Sequence, residues 1–151
     1  MIDLKNLVFR RKAKWDGQVL INLLARMKQR IHNEGKDRFG NLISPKYSSS
    51  WAQVRRDNGR QIGYVDLEFM GDLRRDFQLG TKANGEFVLG VTQDISALKI
   101  VANETRFQKE IYTPTDGEVD NLVEVYTDNI IELFGEIFNG IGKNLKDGSS
   151  S

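Results

Sequence analysis

From Val119 to Phe138, nine apolar residues (Val119, Leu122, Val123, Tyr126, Ile130, Leu133, Phe134, Ile137 and Phe138) recur at intervals of three and four. That spacing matches a helix of about 3.6 residues per turn and lays them on one stripe about five turns long. A stripe of this length commits the rest of the chain to supplying a surface that covers it. The break at Pro114, within "YTPTDGEVD", sets where the helix begins. Its opposite face is acidic. Asp116, Glu118, Asp120, Glu124, Asp128, Glu132 and Glu136 fall between 116 and 136 with no Lys or Arg among them. Glu124, Asp128, Glu132 and Glu136 stack like charges at i, i+4, which mildly destabilises an isolated helix. An opposing cationic surface is therefore expected.

A second amphipathic helix is expected from Asp16 to Glu34, where Leu20, Leu23, Leu24, Met27 and Ile31 share one face. Asp16 is placed to cap it, Trp15 to staple it and Gly35 to end it. Residues 35–50, "GKDRFGNLISPKYSSS", carry no sustained period and read as a long loop of the kind that is functional or mobile. Ser50 is expected to cap a short helix through Trp51, Val54 and Arg55, which Asp57-Asn58-Gly59 ends as a turn. "GDL" at 71–73 is expected to lead into a hairpin. Phe77 and Leu79 alternate before the turn at "ANG", and Phe87, Leu89 and Val91 after it. Residues 94–107, "DISALKIVANETRF", read as helical, although Ile100 and Val101 also suit a strand.

At 151 residues the chain fits one domain. It has no cysteine, which excludes disulfides, thiolate metal sites and a cysteine nucleophile. No apolar run approaches the ~20 residues of a membrane-spanning helix. The N-terminal "MIDLKNLVFRRKAK" places apolar before basic residues, the wrong order for a signal peptide. The net charge of +1 hides a polarity: residues 1–60 hold 14 Lys and Arg against 5 Asp and Glu, or +9, and residues 61–151 hold 8 against 16, or −8. Such opposed halves fold back on each other or bring copies together.

The inventory for catalysis is thin. His32 is the only histidine, late in a basic helix, where it reads as an ordinary surface or helix-end position. Asp57, Asp66 and Glu68 lack the alternation of a calcium loop and read as solvated or capping acids, and nothing in the sequence places the pairs Asp66 with Glu68 or Asp116 with Glu118 in a pocket as acid/base dyads. "LGTKANGEFVLG" lacks the spacing of a phosphate loop. The expectation is of no enzyme, no cofactor and no metal. The stretch "YSSSWAQVRRDNGR", with "FRRKAK", combines arginines with Phe9, Trp15, Tyr47 and Trp51. Cations beside aromatics suit single-stranded nucleic acid, so a small nucleic-acid-binding module using the basic N-terminal half is the alternative reading.

The order of these pieces resembles the tail-completion proteins of tailed bacteriophages, the group that includes the phage Mu virion morphogenesis protein and related neck proteins. The resemblance lies in a basic amphipathic helix, a loop with Phe39 and Gly40, then Tyr47-Ser48, Ala52 with Arg55 or Arg56, Gly59, Val65 to Leu67, and Gly71 with Leu73 before the hairpin. It spans roughly residues 16 to 91, within which the serine run and Trp51 depart from the family pattern, as do the sparsely charged "LKIVANETRFQKE" and the long acidic helix beyond it.

The resemblance implies a structural virion protein at the head-tail junction, as tail-completion, tail-terminator or connector subunit, forming a homo-oligomeric ring of six copies. Its partners would be itself and neighbouring tail or connector proteins, with DNA passing through the lumen and no membrane. It would be assembled in the bacterial host cytoplasm. A ring repeats one heterologous contact, for which Tyr47, Trp51, Arg55, Arg56 and Arg60 on one copy and Glu124, Asp128, Glu132 and Glu136 on the next are the candidate interface. The expected fold is a single α+β domain over residues 1–145, with an antiparallel sheet built around the Leu73–Val91 hairpin and flanked by the N- and C-terminal helices. A disordered polar tail over 146–151 completes the chain.

Overall fold

The computed structural model describes residues 4–68 and 70–147, with side chains from 16 to 139 apart from 69 and 137. The fold is α+β: among the described residues it has five α-helices and one antiparallel hairpin. The proposed tail at 146–151 lies mostly outside the described residues.

Helix α1 spans Leu4–Lys28 and continues as a π-helical turn through Gln29–Asn33. It starts well before the expected Asp16, which sits inside the helix. The Lys and Arg of "FRRKAK" are good helix formers, so nothing there stops it. Gly35, at φ 64°, ends it as expected. The face predicted for this helix is the one that packs: Leu23, Met27 and Ile31 join Ile43, Val65, Phe77, Phe107 and Ile111 in the main core.

Helix α2 covers Ser49–Asp57. Its cap is Ser48 rather than Ser50, the Ser48 hydroxyl accepting from the Trp51 amide at 3.3 Å. Gly59, at φ 66°, follows the helix in the expected turn. Between α1 and α2 the chain is tied down. Asp37 Oδ1 accepts from the amides of Phe39 and Asn41, and Lys109 Nζ reaches its Oδ2 at 2.7 Å.

Gly71 opens not a strand but the one-turn helix α3, Asp72–Asp76. The strands β1 (Gln78–Thr81) and β2 (Phe87–Gly90) then pair with Leu79 opposite Leu89 and Thr81 opposite Phe87. They form a two-stranded sheet, shorter than the segment expected from Leu73 to Val91. A lone hairpin is marginal in water. This one leans on α1, with the Phe87 ring 3.7 Å from where a Cβ on Gly17 would stand.

Helix α4 is Asp94–Phe107, and α5 is Asp116–Asp147. The 94–107 segment is helical as expected, and Asp76 anchors the turn before it: the carboxylate accepts from the amides of Thr92 and Gln93 and from the Thr92 hydroxyl. Helix α5 starts at a capping box. Thr115 Oγ1 accepts from the Glu118 amide at 3.0 Å, and Glu118 Oε2 accepts from the Thr115 amide at 2.8 Å. Helices α1 and α5 make the largest contact between elements of the fold. No helix among the described residues is long and apolar enough to cross a membrane.

Candidate functional site

The residues singled out by sequence divide into an internal clamp and an outer surface. Arg55 belongs to the clamp. Only 1% exposed, it donates through Nη2 to Asp66 Oδ2 at 2.6 Å, through Nε to the Gln61 carbonyl at 2.9 Å and through Nη1 to the Glu68 carbonyl at 2.7 Å. Its guanidinium lies 4.4 Å from the Tyr47 ring centre. The Tyr47 hydroxyl donates to Asp66 Oδ1 at 2.6 Å and accepts from the Asp66 amide at 3.0 Å. Burial, with the Asp66 carboxylate beside it, pushes the Tyr47 hydroxyl well above its ordinary pKa. Gln61 Nε2 completes the set by donating to Asp66 Oδ2 at 2.7 Å.

This corrects the sequence reading in three places. Arg55 is buried and Tyr47 half-buried, their polar groups turned to Asp66 of their own chain rather than presented on the surface. Asp66 is buried at the centre of the clamp rather than solvated. His32 is 3% exposed, not a surface residue. Its Nδ1–H donates to the Asp66 carbonyl at 2.8 Å, while Nε2 is buried without a partner. Burial holds the imidazole pKa below its ordinary value, so the ring is neutral. The arrangement is structural: one carboxylate accepts from an arginine, a tyrosine, a glutamine and the Glu68 amide, fastening α2 to the 61–68 segment. Among the described residues no group of three or more His, Asp or Glu side chains is arranged to hold a metal ion.

The outer surface keeps the rest of the candidates. Trp51 is 37% exposed, and Arg56 and Arg60 are exposed on and beyond α2. Trp51 lines a depression of about 200 Å³ with Leu67, Asn103 and Arg106. Across the fold, Glu124, Asp128, Glu132 and Glu136 are all exposed on α5. Among the described residues Glu124, Asp128 and Glu132 make no ion pair or hydrogen bond, and Arg56 bonds only to Gln53.

Among the described residues the two oppositely charged halves pair within the chain at the Arg55–Asp66 clamp and around the start of α5. Arg30, buried in the π-helical turn, donates to Glu118 at 3.0 Å and to the carbonyls of Lys36, Ile111 and Thr113. Glu118 is therefore both an ion-pair partner and a cap, with its side chain 10% exposed. Arg38 reaches Glu110 at 2.7 Å and Asp116 at 3.6 Å. Farther along α5, Glu124, Asp128 and Glu132 meet no cation among the described residues.

Sequence reading missed a consequence of the α5 stripe. Leu133 is buried and Leu122 partly so, but Val119, Val123, Phe134 and Phe138 stay exposed. Helix α1 covers only one edge of the stripe. The remaining apolar band lies between that seam and the acidic face, and the stripe's width, greater than one helix contact needs, was its signal. No protein-family model, no curated protein and no solved structure matches the chain.

Proposed function

We propose that the chain is a non-enzymatic structural subunit of a tailed-bacteriophage virion, acting at the head-tail junction as a homo-oligomeric ring with neighbouring tail or connector proteins as partners. The observation that carries the self-association is α5, which leaves Val119, Val123, Phe134 and Phe138 in water beside three acids that have no partner among the described residues. Monomers that stay monomers seldom leave such a contiguous apolar face open, least of all along an unneutralised charge ladder. Exposed Trp51, Arg56 and Arg60 supply an apolar anchor and cations on another part of the surface. Two unlike, complementary faces on one subunit are what a ring requires. The place at the head-tail junction rests on the resemblance over residues 16–91. Tyr47, Arg55 and Val65 to Leu67, which carry much of that resemblance, build the clamp and the core beneath it, so in this reading they hold the scaffold while the surface does the assembling.

The test is mass by light scattering at low and high salt, with electron microscopy of the product. The expected result is a ring with a central opening whose assembly weakens as salt rises. A monomer at every salt and protein concentration overturns the reading. Tight DNA binding by that monomer would transfer the function to the nucleic-acid class.

A further inference from the structure

Helix α4 carries an exposed apolar row of its own. Ile95, Leu98 and Val101 point to solvent, away from the side on which Ser96 and Phe107 are buried, and Leu98 is 66% exposed. A cationic edge flanks the row. Lys99 lines a depression of about 310 Å³ shared with Met70, and Arg106 lines the one shared with Trp51. Neither Lys99 nor Arg106 has an anionic partner among the described residues; Arg106 lies over the Phe107 ring at 5.3 Å. The exposed band of α5 is the counterpart: Val119, Val123 and Phe134, edged by Asp120, Glu124 and Asp128.

We propose that α4 of one copy seats on α5 of a second copy, with Leu98 at the centre of the apolar contact and Lys99 and Arg106 meeting the acids of α5. Charge complementarity selects this pairing. Packing α5 on α5 would set acids against acids, a like-charge juxtaposition that opposes association, whereas α4 carries Lys99 and Arg106 along its row with one exposed acid, Asp94, at its start. The unlike pairing covers both apolar rows and sets Lys99 and Arg106 opposite the acids of α5. A contact between unlike faces, repeated from copy to copy, closes into a ring when its rotation allows. The second copy as occupant rests on the ring reading above; the choice of faces rests on α4 and α5 alone.

The absence of cysteine makes the pairing directly readable. Leu98→Cys and Val123→Cys are made as separate full-length chains, one with a size tag, and Phe134→Cys replaces Val123→Cys in a parallel sample. Oxidised mixtures are expected to give a mixed disulfide with one or both α5 positions, while neither variant alone cross-links efficiently. A ring by light scattering without the mixed disulfide, or with Val123→Cys joining only to itself, overturns the face assignment and leaves the ring standing. A monomer with no cross-link overturns both. Independently, Lys99→Glu with Arg106→Glu is expected to weaken association at least about tenfold with an unchanged circular dichroism spectrum. Mixing in Glu124→Lys with Asp128→Lys chains is expected to restore it. Unaltered assembly of the Lys99→Glu, Arg106→Glu chain counts against the proposal.

Discussion

Arg55 and Asp66, eleven residues apart in the sequence, form a buried ion pair at 2.6 Å that fastens α2 to the segment leading into α3. The pair has little water to fall back on, since the Arg55 side chain is 1% exposed and the Asp66 side chain 10%. Removing one partner strands the other, which typically costs about 3–5 kcal/mol. Arg55→Ala is expected to lose that much stability in urea unfolding. Arg56→Ala and Arg60→Ala, on exposed neighbours, should stay within about 0.5 kcal/mol of the parent. Comparable losses at all three would mean that Arg55 is not the clamp.

His32 makes stability depend on pH near neutrality. Its folded pKa lies below 6.5, chiefly because burial penalises the imidazolium. The unfolded chain then takes the proton first, so the stabilisation is complete above about pH 6.5 and falls as the pH drops toward the folded value. The urea midpoint should decrease from pH 7.5 to pH 5.5, above the range where carboxylates titrate. His32→Gln, whose amide can still donate to the Asp66 carbonyl, should flatten that slope. An unchanged slope in the variant removes His32 as the cause.

What the sequence disclosed and what it hid follow one physical rule. Helix α5, the α2 turn and the hairpin were readable because each depends on spacing within its own segment. The burial of Arg55 was hidden because its partner sits in a loop that has no period, and a run of arginines looks the same whether solvated or clamped. His32 was misplaced for the same reason: the 61–68 segment covers it, and nothing within α1 records that. The capping box at Thr115 and Glu118 was legible in "TDGE" and was overlooked in favour of the acidic run. On the outer surface, Trp51, Arg56, Arg60 and the α5 acids stand exposed where charge patterning put them. The bare face of α4 was masked by Ile100 and Val101, whose β-branched side chains drew attention to strand propensity rather than to the side each one faces.

Gly35 and Gly40 both sit in the left-handed region, at φ 64° and 79°. An alanine pays about 1–2 kcal/mol for that conformation at either place. A Cβ at Gly40 would meet nothing within 4 Å, whereas one at Gly35 would stand 2.7 Å from Tyr64 Cδ2 and 2.8 Å from the Val65 carbonyl oxygen. Relief would shift the backbone that leads into Asp66. Gly35→Ala should therefore cost clearly more than Gly40→Ala in chemical denaturation, and equal losses would contradict the close approach.

Asp76 links α3 to the start of α4. Its carboxyl pKa is lowered to about 2, first by the Thr92 hydroxyl and further by the Thr92 and Gln93 amides. Because the folded pKa is depressed, its contribution is present above about pH 4 and is lost as the pH falls from there toward 2. Asp76→Ala should lower stability at neutral pH and reduce the loss between pH 4 and pH 2.5. Asp72→Ala, on the exposed side of α3, should do neither. If the two variants show the same acid profile, Asp76 is not the anchor of the turn that leads into α4.

The acids of α5 should have opposite effects on folding and on assembly. Glu124, Asp128 and Glu132 repel one another along the helix at i, i+4 and find no cation among the described residues. Each such like-charge pair costs the helix about 0.2–0.5 kcal/mol. Replacing them as Glu124→Gln, Asp128→Asn and Glu132→Gln should leave the isolated subunit as stable as the parent or slightly more so. The same chain should assemble less well, because the charges that draw in the cationic face of the next copy are gone. A residue kept for the fold loses stability when replaced, whereas one kept for a contact loses the contact while stability holds or rises. Thermal unfolding of monomeric samples alongside sedimentation of concentrated ones reads both quantities from one preparation. A triple variant that unfolds more readily and assembles as before would assign the ladder to folding and take away the charge half of the proposed contact.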